Sequence, residues 1–128
     1  GLGLQDTVEL KGWIEREELE ELMGTATALI DASLVTGFSL PTLEAMLDGL
    51  PVVLAGTPVF REVGGDAARY FDPEDPDSIA RTVLEVAEDP ALQARMVEAG
   101  REHASRYSWN RVANETLDTF RAALADPR

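Results

Sequence analysis

Three short apolar runs, TALIDAS from Thr27, PVVLA from Pro51 and AARYF from Ala67, alternate with stretches of helical period, and Gly or Pro punctuates the changes. Strands separated by helical segments pair in parallel, and parallel strands with helices on both faces read as continuous apolar runs. The chain is thereby held to an α/β fold. A further short strand is expected at Val8–Leu10, ending at Gly12, so the sheet should hold about four parallel strands flanked by helices. With 128 residues the chain fits one domain, large enough to bury a core without metal or disulfide staples.

The helices announce themselves by their ends. One is expected near Glu15–Thr25, with Leu19, Leu22, Met23 and Ala26 on one face and glutamates on the other. The next starts at Pro41, a residue suited to the first helical position, and stops at Gly49. PVFREV forms a short helix stopped by Gly64 and Gly65. Asp75-Pro76, Asp89-Pro90 and Ser108 then open three more. The first of these should turn Ile79, Ala80, Val83, Leu84 and Ala87 inward, and the second Leu92, Met96, Ala99 and His103. The last carries a stripe of Ala113, Leu117, Phe120 and Leu124.

Composition removes several functions. There is no cysteine, which rules out disulfides, thiolate catalysis and zinc–sulfur sites. The formal charge of −13 repels phosphate backbones and argues against a nucleic-acid partner. Any bound anion has to be met locally, by backbone N–H groups or a few arginines. No apolar run reaches the length of a bilayer span and no signal-peptide pattern opens the chain, so a cytoplasmic home is expected. The opening text, GLGLQDTVEL, reads as a stretch from within a longer protein. P-loop, G-x-S-x-G and H-E-x-x-H motifs are all missing.

The segment with chemical content is Ser33–Pro51, SLVTGFSLPTLEAMLDGLP. A strand, a Gly-containing loop and a helix start leave free N–H groups at the positive end of a helix dipole, an anion site. In an open α/β sheet such a loop lies beyond the carboxyl ends of the strands, where ligands bind. Gly37 is expected to take backbone angles that a side chain forbids, so that Phe38, Ser39 and Leu40 aim their N–H groups into the crevice. Glu44, one turn into the helix, suits the hydroxyls of a diol such as a ribose. The bland alternative stays open beside it: Gly-x-x-x-Pro is common loop text, and Glu is ordinary in a first turn.

Other residues have plainer readings. Asp72, Asp75 and Asp77 lack the Gly turn and closing Glu of a calcium loop and read as a helix cap. His103, the sole histidine, reads as structural, and Trp13 and Trp109 as core or edge anchors. Glu62 either orients the loop beside the crevice or solvates its own turn, and Arg61 is a weaker candidate for neutralising a phosphate. EREELEEL is a solvated helix face.

TGFSLPTLEAMLDGLPVV closely resembles the donor-site signature of retaining glycosyltransferases, the large group that includes sucrose synthases and bacterial mannosyltransferases. Their usual text is near E-G-F-G-L-P-x-L-E-A-M-x-x-G-x-P-V. VELKGWIEREELEELMGTATALIDAS before it, TPVFREVGGDAARYFDPEDPDSIA after it and RYSW ahead of the last helix resemble the same family in order and spacing. The resemblance implies a GT-B fold of two Rossmann-like domains, of which residues 1–128 would be a truncated C-terminal, donor-binding part. It implies a nucleoside diphosphate-sugar donor, a hexosyl group moved to a glycan or glycolipid acceptor, no cofactor and no metal ligand from the protein. Polysaccharide biosynthesis is the expected setting, in the cytoplasm or peripheral to the inner membrane face.

Two glutamates flank the family's loop with seven residues between them, Gly37 to Leu43 here. The second matches Glu44, which the resemblance assigns to the nucleotide ribose. The first, placed by the family near the donor sugar or reacting centre, falls on Thr36, so this catalytic position holds a hydroxyl and no charge. Gly37 and the amides of Phe38, Ser39 and Leu40 would meet the distal phosphate and sugar, and Ser39 replaces the family's usual second Gly.

The family's upstream Arg and Lys, two leading strands and the N-terminal Rossmann domain have no counterpart in this sequence. The strand at Val8–Leu10 is therefore expected to shift beside another strand or to self-associate with a second chain through its unpaired edge. A half-cleft cannot hold donor and acceptor together, so the chain alone is expected to be inactive. Two other classes remain: a non-catalytic nucleotide-sugar binding or regulatory domain with a degenerate site, and a sugar-nucleotide epimerase, which would need acid–base residues not found here.

Overall fold

The computed structural model describes residues 2–125. In chain order the elements are α1 (Arg16–Thr25), β1 (Leu29–Asp31), α2 (Leu40–Asp48), β2 (Val52–Ala55), α3 (Pro58–Gly64), a 3-10 turn (Gly65–Ala67), β3 (Arg69–Phe71), α4 (Pro76–Glu88), α5 (Pro90–Ala104) and α6 (Trp109–Ala125). The strands form one parallel sheet in the order β1-β2-β3, with Leu29 opposite Val52 and Leu54 opposite Tyr70. This is the α/β arrangement expected, with three strands in place of about four.

β2 lies at the centre because PVVLA has nothing polar to offer water. All four of its residues are buried, packed against α2, α3 and α4. Phe60 and Val63 of α3, Met46 of α2 and Val86 of α4 are fully buried around it. Each such side chain contributes roughly 1.5–3 kcal/mol on burial. α5 closes the structure by packing on α2, α4 and the 3-10 turn. Gly100 lets it approach: a Cβ there would stand 3.2 Å from Met46 Cγ.

The caps are those the sequence announced. Asp75 accepts a hydrogen bond from the Asp77 N–H (3.0 Å) and Asp89 from the Leu92 N–H (2.9 Å). Ser108 Oγ accepts from the Arg111 N–H (3.2 Å) at the start of α6. Gly49 ends α2 in the left-handed region at φ 83°.

Four expectations fail. Val8–Leu10 is not a strand and joins no sheet. Strand geometry persists only when its N–H and C=O groups are paired, and this segment lies instead on the surface. Lys11 ties it to α1 by bridging Glu9 (2.9 Å) and Glu18 (2.8 Å), and these carboxylates raise the lysine above its ordinary pKa. The edges of the sheet are therefore β1, where Ile30 is exposed, and β3. Trp13 and Trp109 anchor no core, being 92% and 78% exposed. On α4 the inward face is Ile79, Val83 and Val86, with Ala80, Leu84 and Ala87 turned outward. On α5 Ala99 is exposed, and Gly100 and Ala104 are buried in its stead, while Leu92 and Met96 are buried as expected. An apolar stripe wider than the contact leaves the exact docking angle to the neighbours. α1 and α6 have no buried residue among those described.

Glycines in this chain are not equivalent. At Gly64 a Cβ would lie 2.6 Å from Tyr70 Oη and 2.9 Å from both Ala68 Cβ and Leu54 Cδ1. The Tyr70 hydroxyl cannot give way cheaply, since it donates to the Gly65 carbonyl (2.7 Å) and lies 3.2 Å from that of Phe60. Burial pushes the Tyr70 phenol pKa up, and Arg61, stacked 4.7 Å over its ring, pulls it back. At Gly37 a Cβ meets nothing within 4 Å. Gly64→Ala is therefore expected to destabilise the chain by about 1–3 kcal/mol, and Gly37→Ala to change stability by less than about 0.5 kcal/mol. Urea unfolding of the two variants beside the parent chain measures both.

Candidate functional site

β1 ends at Asp31, and the chain turns there at the carboxyl edge of the sheet. The Asp31 carboxylate holds the turn by accepting from Ser33 N–H (3.0 Å) and Oγ–H (2.6 Å). The loop then runs through Thr36 and Gly37 to the start of α2. Pro41 stands in the first turn of that helix, where its missing N–H costs nothing.

The junction is held by an unusual residue. Ser39, the N-cap of α2, has φ 64° and ψ 65°, the sole non-glycine residue with positive φ among those described. Its side chain caps no backbone amide and instead pairs with the hydroxyl of buried Thr42 (2.9 Å). The Ser39 carbonyl accepts from the Thr42 N–H (3.1 Å). Phe38, Ser39 and Leu40 keep backbone N–H groups with no acceptor among the described residues. These three donors sit at the positive end of a nine-residue helix, where an anion is favoured.

This corrects the expectation at Gly37. That residue lies outside the left-handed region, and space for a side chain is open. The left-handed turn falls two positions later, on Ser39, where a β-carbon costs roughly 1–2 kcal/mol.

Glu44 is exposed and stands between two grooves. The first, of about 360 Å³, runs between α1 and α2 and brings Glu44 and Asp48 to Arg16, Glu20 and Met23. Arg16 donates from Nε to Glu20 (2.7 Å); that bond, and then the fields of Glu20, Glu44 and Asp48, raise its pKa further above an already high value. The second, of about 460 Å³, has Phe38, Leu40 and Glu44 on one wall and Tyr107, Trp109 and Val112 on the other. Of the donor-site candidates, Phe38, Leu40 and Glu44 share this groove. Thr36 and Ser39, both half-buried, and Gly37 line neither groove.

Among the remaining candidates, His103 is half-buried and structural in its contacts, with Nε2 2.8 Å from the Val63 carbonyl. Arg61 is engaged with Tyr70, and Glu62 is exposed without a side-chain partner among the described residues. Sequence reasoning missed Arg16 beside Glu44 and Tyr107 beside Phe38. The second pair is far apart in the chain, and nothing in its local text signals the contact.

Residues 1–103 match the family model described as "Glycosyl transferases group 1". The chain is 33% identical over 128 residues to the MMP alpha-(1->4)-mannosyltransferase of Mycolicibacterium hassiacum, covering 97% of this chain and 31% of that protein. It is 32% identical over 110 residues to the O-antigen chain mannosyltransferase B of Escherichia coli, covering 86% of this chain and 29% of that protein. The fold matches part of sucrose-phosphate synthase from Thermosynechococcus elongatus with a TM-score of 0.83 and 24% identity, covering 95% of this chain and 31% of that one. The chain thus spans under a third of the length of these relatives.

The left-handed residue can be tested by two variants. Ser39→Ala and Ser39→Gly both remove the hydroxyl pair with Thr42, but only the glycine relieves the backbone. The glycine variant is expected to be the more stable of the two by about 1–2 kcal/mol. Equal midpoints in chemical denaturation would mean that residue 39 is not left-handed in solution.

Proposed function

Because the chain belongs to the glycosyl transferases group 1 family, we propose that it is the donor-holding part of a retaining glycosyltransferase that uses a nucleoside diphosphate-sugar. One observation carries this reading: three amides without a partner among the described residues open α2, and Glu44, one turn deeper, shares a groove wall with Phe38 and Leu40. The N–H groups of Phe38, Ser39 and Leu40 would donate to the distal phosphate, helped by the helix dipole. The Glu44 carboxylate would accept from the ribose hydroxyls. Thr36 and Gly37 would lie toward the sugar. Local donors of this kind are the means by which a chain of charge −13 holds an anion at all.

In the proposed transferase a hexosyl group passes to a glycan or glycolipid acceptor, with neither a cofactor nor a metal ligand from this chain. The acceptor would be held by a second Rossmann-like domain, and polysaccharide assembly at the cytoplasmic face of the membrane is the setting we favour. Glycosyl transfer itself is supported by the relatives, which are named for it. Alone, this part cannot hold both substrates in a closed cleft, and it is expected to turn nothing over. A second reading is a non-catalytic nucleotide-sugar binding domain; it is favoured by Thr36, which carries no carboxylate and lines neither groove. The open edge of β1 is a proposed surface for self-association, now in place of Val8–Leu10.

Titration of the ¹⁵N-labelled chain with UDP, GDP and ADP tests the donor site. At least one is expected to move the amide resonances of Phe38, Ser39 and Leu40, and Glu44→Ala to weaken that binding by about tenfold, or 1.4 kcal/mol, without lowering the unfolding midpoint. No response from any of the three nucleotides would sink the reading. Sugar transfer by the isolated chain would refute its proposed inactivity.

A further inference from the structure

The loop before α2 has little hydrogen bonding to hold it. Between the Asp31 turn and the Ser39 carbonyl, no backbone N–H of the loop after Ser33 is paired among the described residues. Besides the Ser39–Thr42 hydroxyl pair at its end, its position depends on one ring contact. The Phe38 side chain packs edge-on against Tyr107, with ring centroids 5.8 Å apart at 63°. Tyr107 sits in the turn between α5 and α6, where its N–H donates to the carbonyl of buried Ala104 (3.0 Å). Its ring also lies beside His103, with centroids 5.7 Å apart.

His103 is itself held from below. Its Nε2–H donates to the Val63 carbonyl at the end of α3 (2.8 Å). The ring lies on Gly65, where a Cβ would come within 2.7 Å of His103 Cε1. A continuous set of contacts thus runs from the core at Val63, through His103 and Tyr107, to the residue whose amide opens the anion site. We infer that Tyr107, seated on His103, is a positioning residue that holds Phe38 and the adjacent free amides in their bound geometry. Its effect on ligand affinity rests on the donor-site reading above; its effect on the loop does not.

An edge-on aromatic pair biases an equilibrium by about two- to tenfold beyond simple burial. That is sufficient to decide how much of the time a loop without backbone hydrogen bonds presents its donors together. A competent fraction reduced by some factor weakens apparent affinity by the same factor.

The test uses Tyr107→Phe, which keeps the ring, Tyr107→Leu, which keeps apolar bulk without it, and Phe38→Leu, which removes the opposite ring and leaves the α5–α6 turn untouched. ¹⁵N relaxation reads the order of the amides at 38–40 without ligand. Both leucine variants are expected to lower it toward the flexible range, below about 0.6, while Val53 and the phenylalanine variant keep the rigid value near 0.85. In the nucleotide titration the leucine variants should bind about three- to tenfold more weakly than the parent, and Phe38→Leu combined with Tyr107→Leu no worse than either alone. Unchanged loop order in both leucine variants overturns the inference, as does equal nucleotide affinity in parent and variants. Loss of loop order in a chain that binds none of the nucleotides upholds the positioning role and defeats the donor reading instead.

Discussion

A parallel strand covered on both faces must be apolar throughout, and everything in this molecule is arranged around one such strand. Val52–Ala55 is buried along its whole length. β1 and β3 satisfy its backbone, and helices α2, α3 and α4 cover its side chains. Parallel pairing puts all carboxyl ends at one edge. The loop from Asp31 to Ser39 therefore comes out beside the start of α3, on the side where open α/β sheets bind ligands. The donor contacts proposed for Phe38 and Glu44 depend on this placement.

Order at the site comes from a different source. The loop is bent by a left-handed serine and carries N–H donors that are unpaired among the described residues. Such an arrangement costs stability and persists where the surroundings over-determine it. The support consists of the Ser39–Thr42 hydroxyl pair below and the Phe38–Tyr107 ring contact beside it. In each support one partner, Thr42 or Tyr107, supplies none of the proposed donor contacts. The charge of the chain sharpens the need, since amides held slightly out of line do not overcome a negative field.

Several faces remain uncovered. α6 carries Leu117, Phe120 and Leu124 exposed, and α1 buries nothing. Amphipathic helices of this kind gain their stability by packing a face, so these surfaces, with the open edge of β1, are where the chain has capacity for further contacts. The matched relatives are more than three times as long as the region they share with it.

Local text determined the helix boundaries and the strand cores, because capping by Asp75, Asp89 and Ser108 and the apolarity of PVVLA act over a few residues. It also determined the donor-loop candidates, since a helix start exposes amides wherever it lies. Only the tertiary structure decided that Val8–Leu10 stays out of the sheet, for a strand exists through a partner and the partner is not local. Tertiary packing likewise chose which side of the α4 stripe faces inward. It moved the left-handed turn from Gly37 to Ser39, because the backbone angle is set by how α2 docks. And it brought Tyr107 to Phe38 across a separation that no local pattern spans.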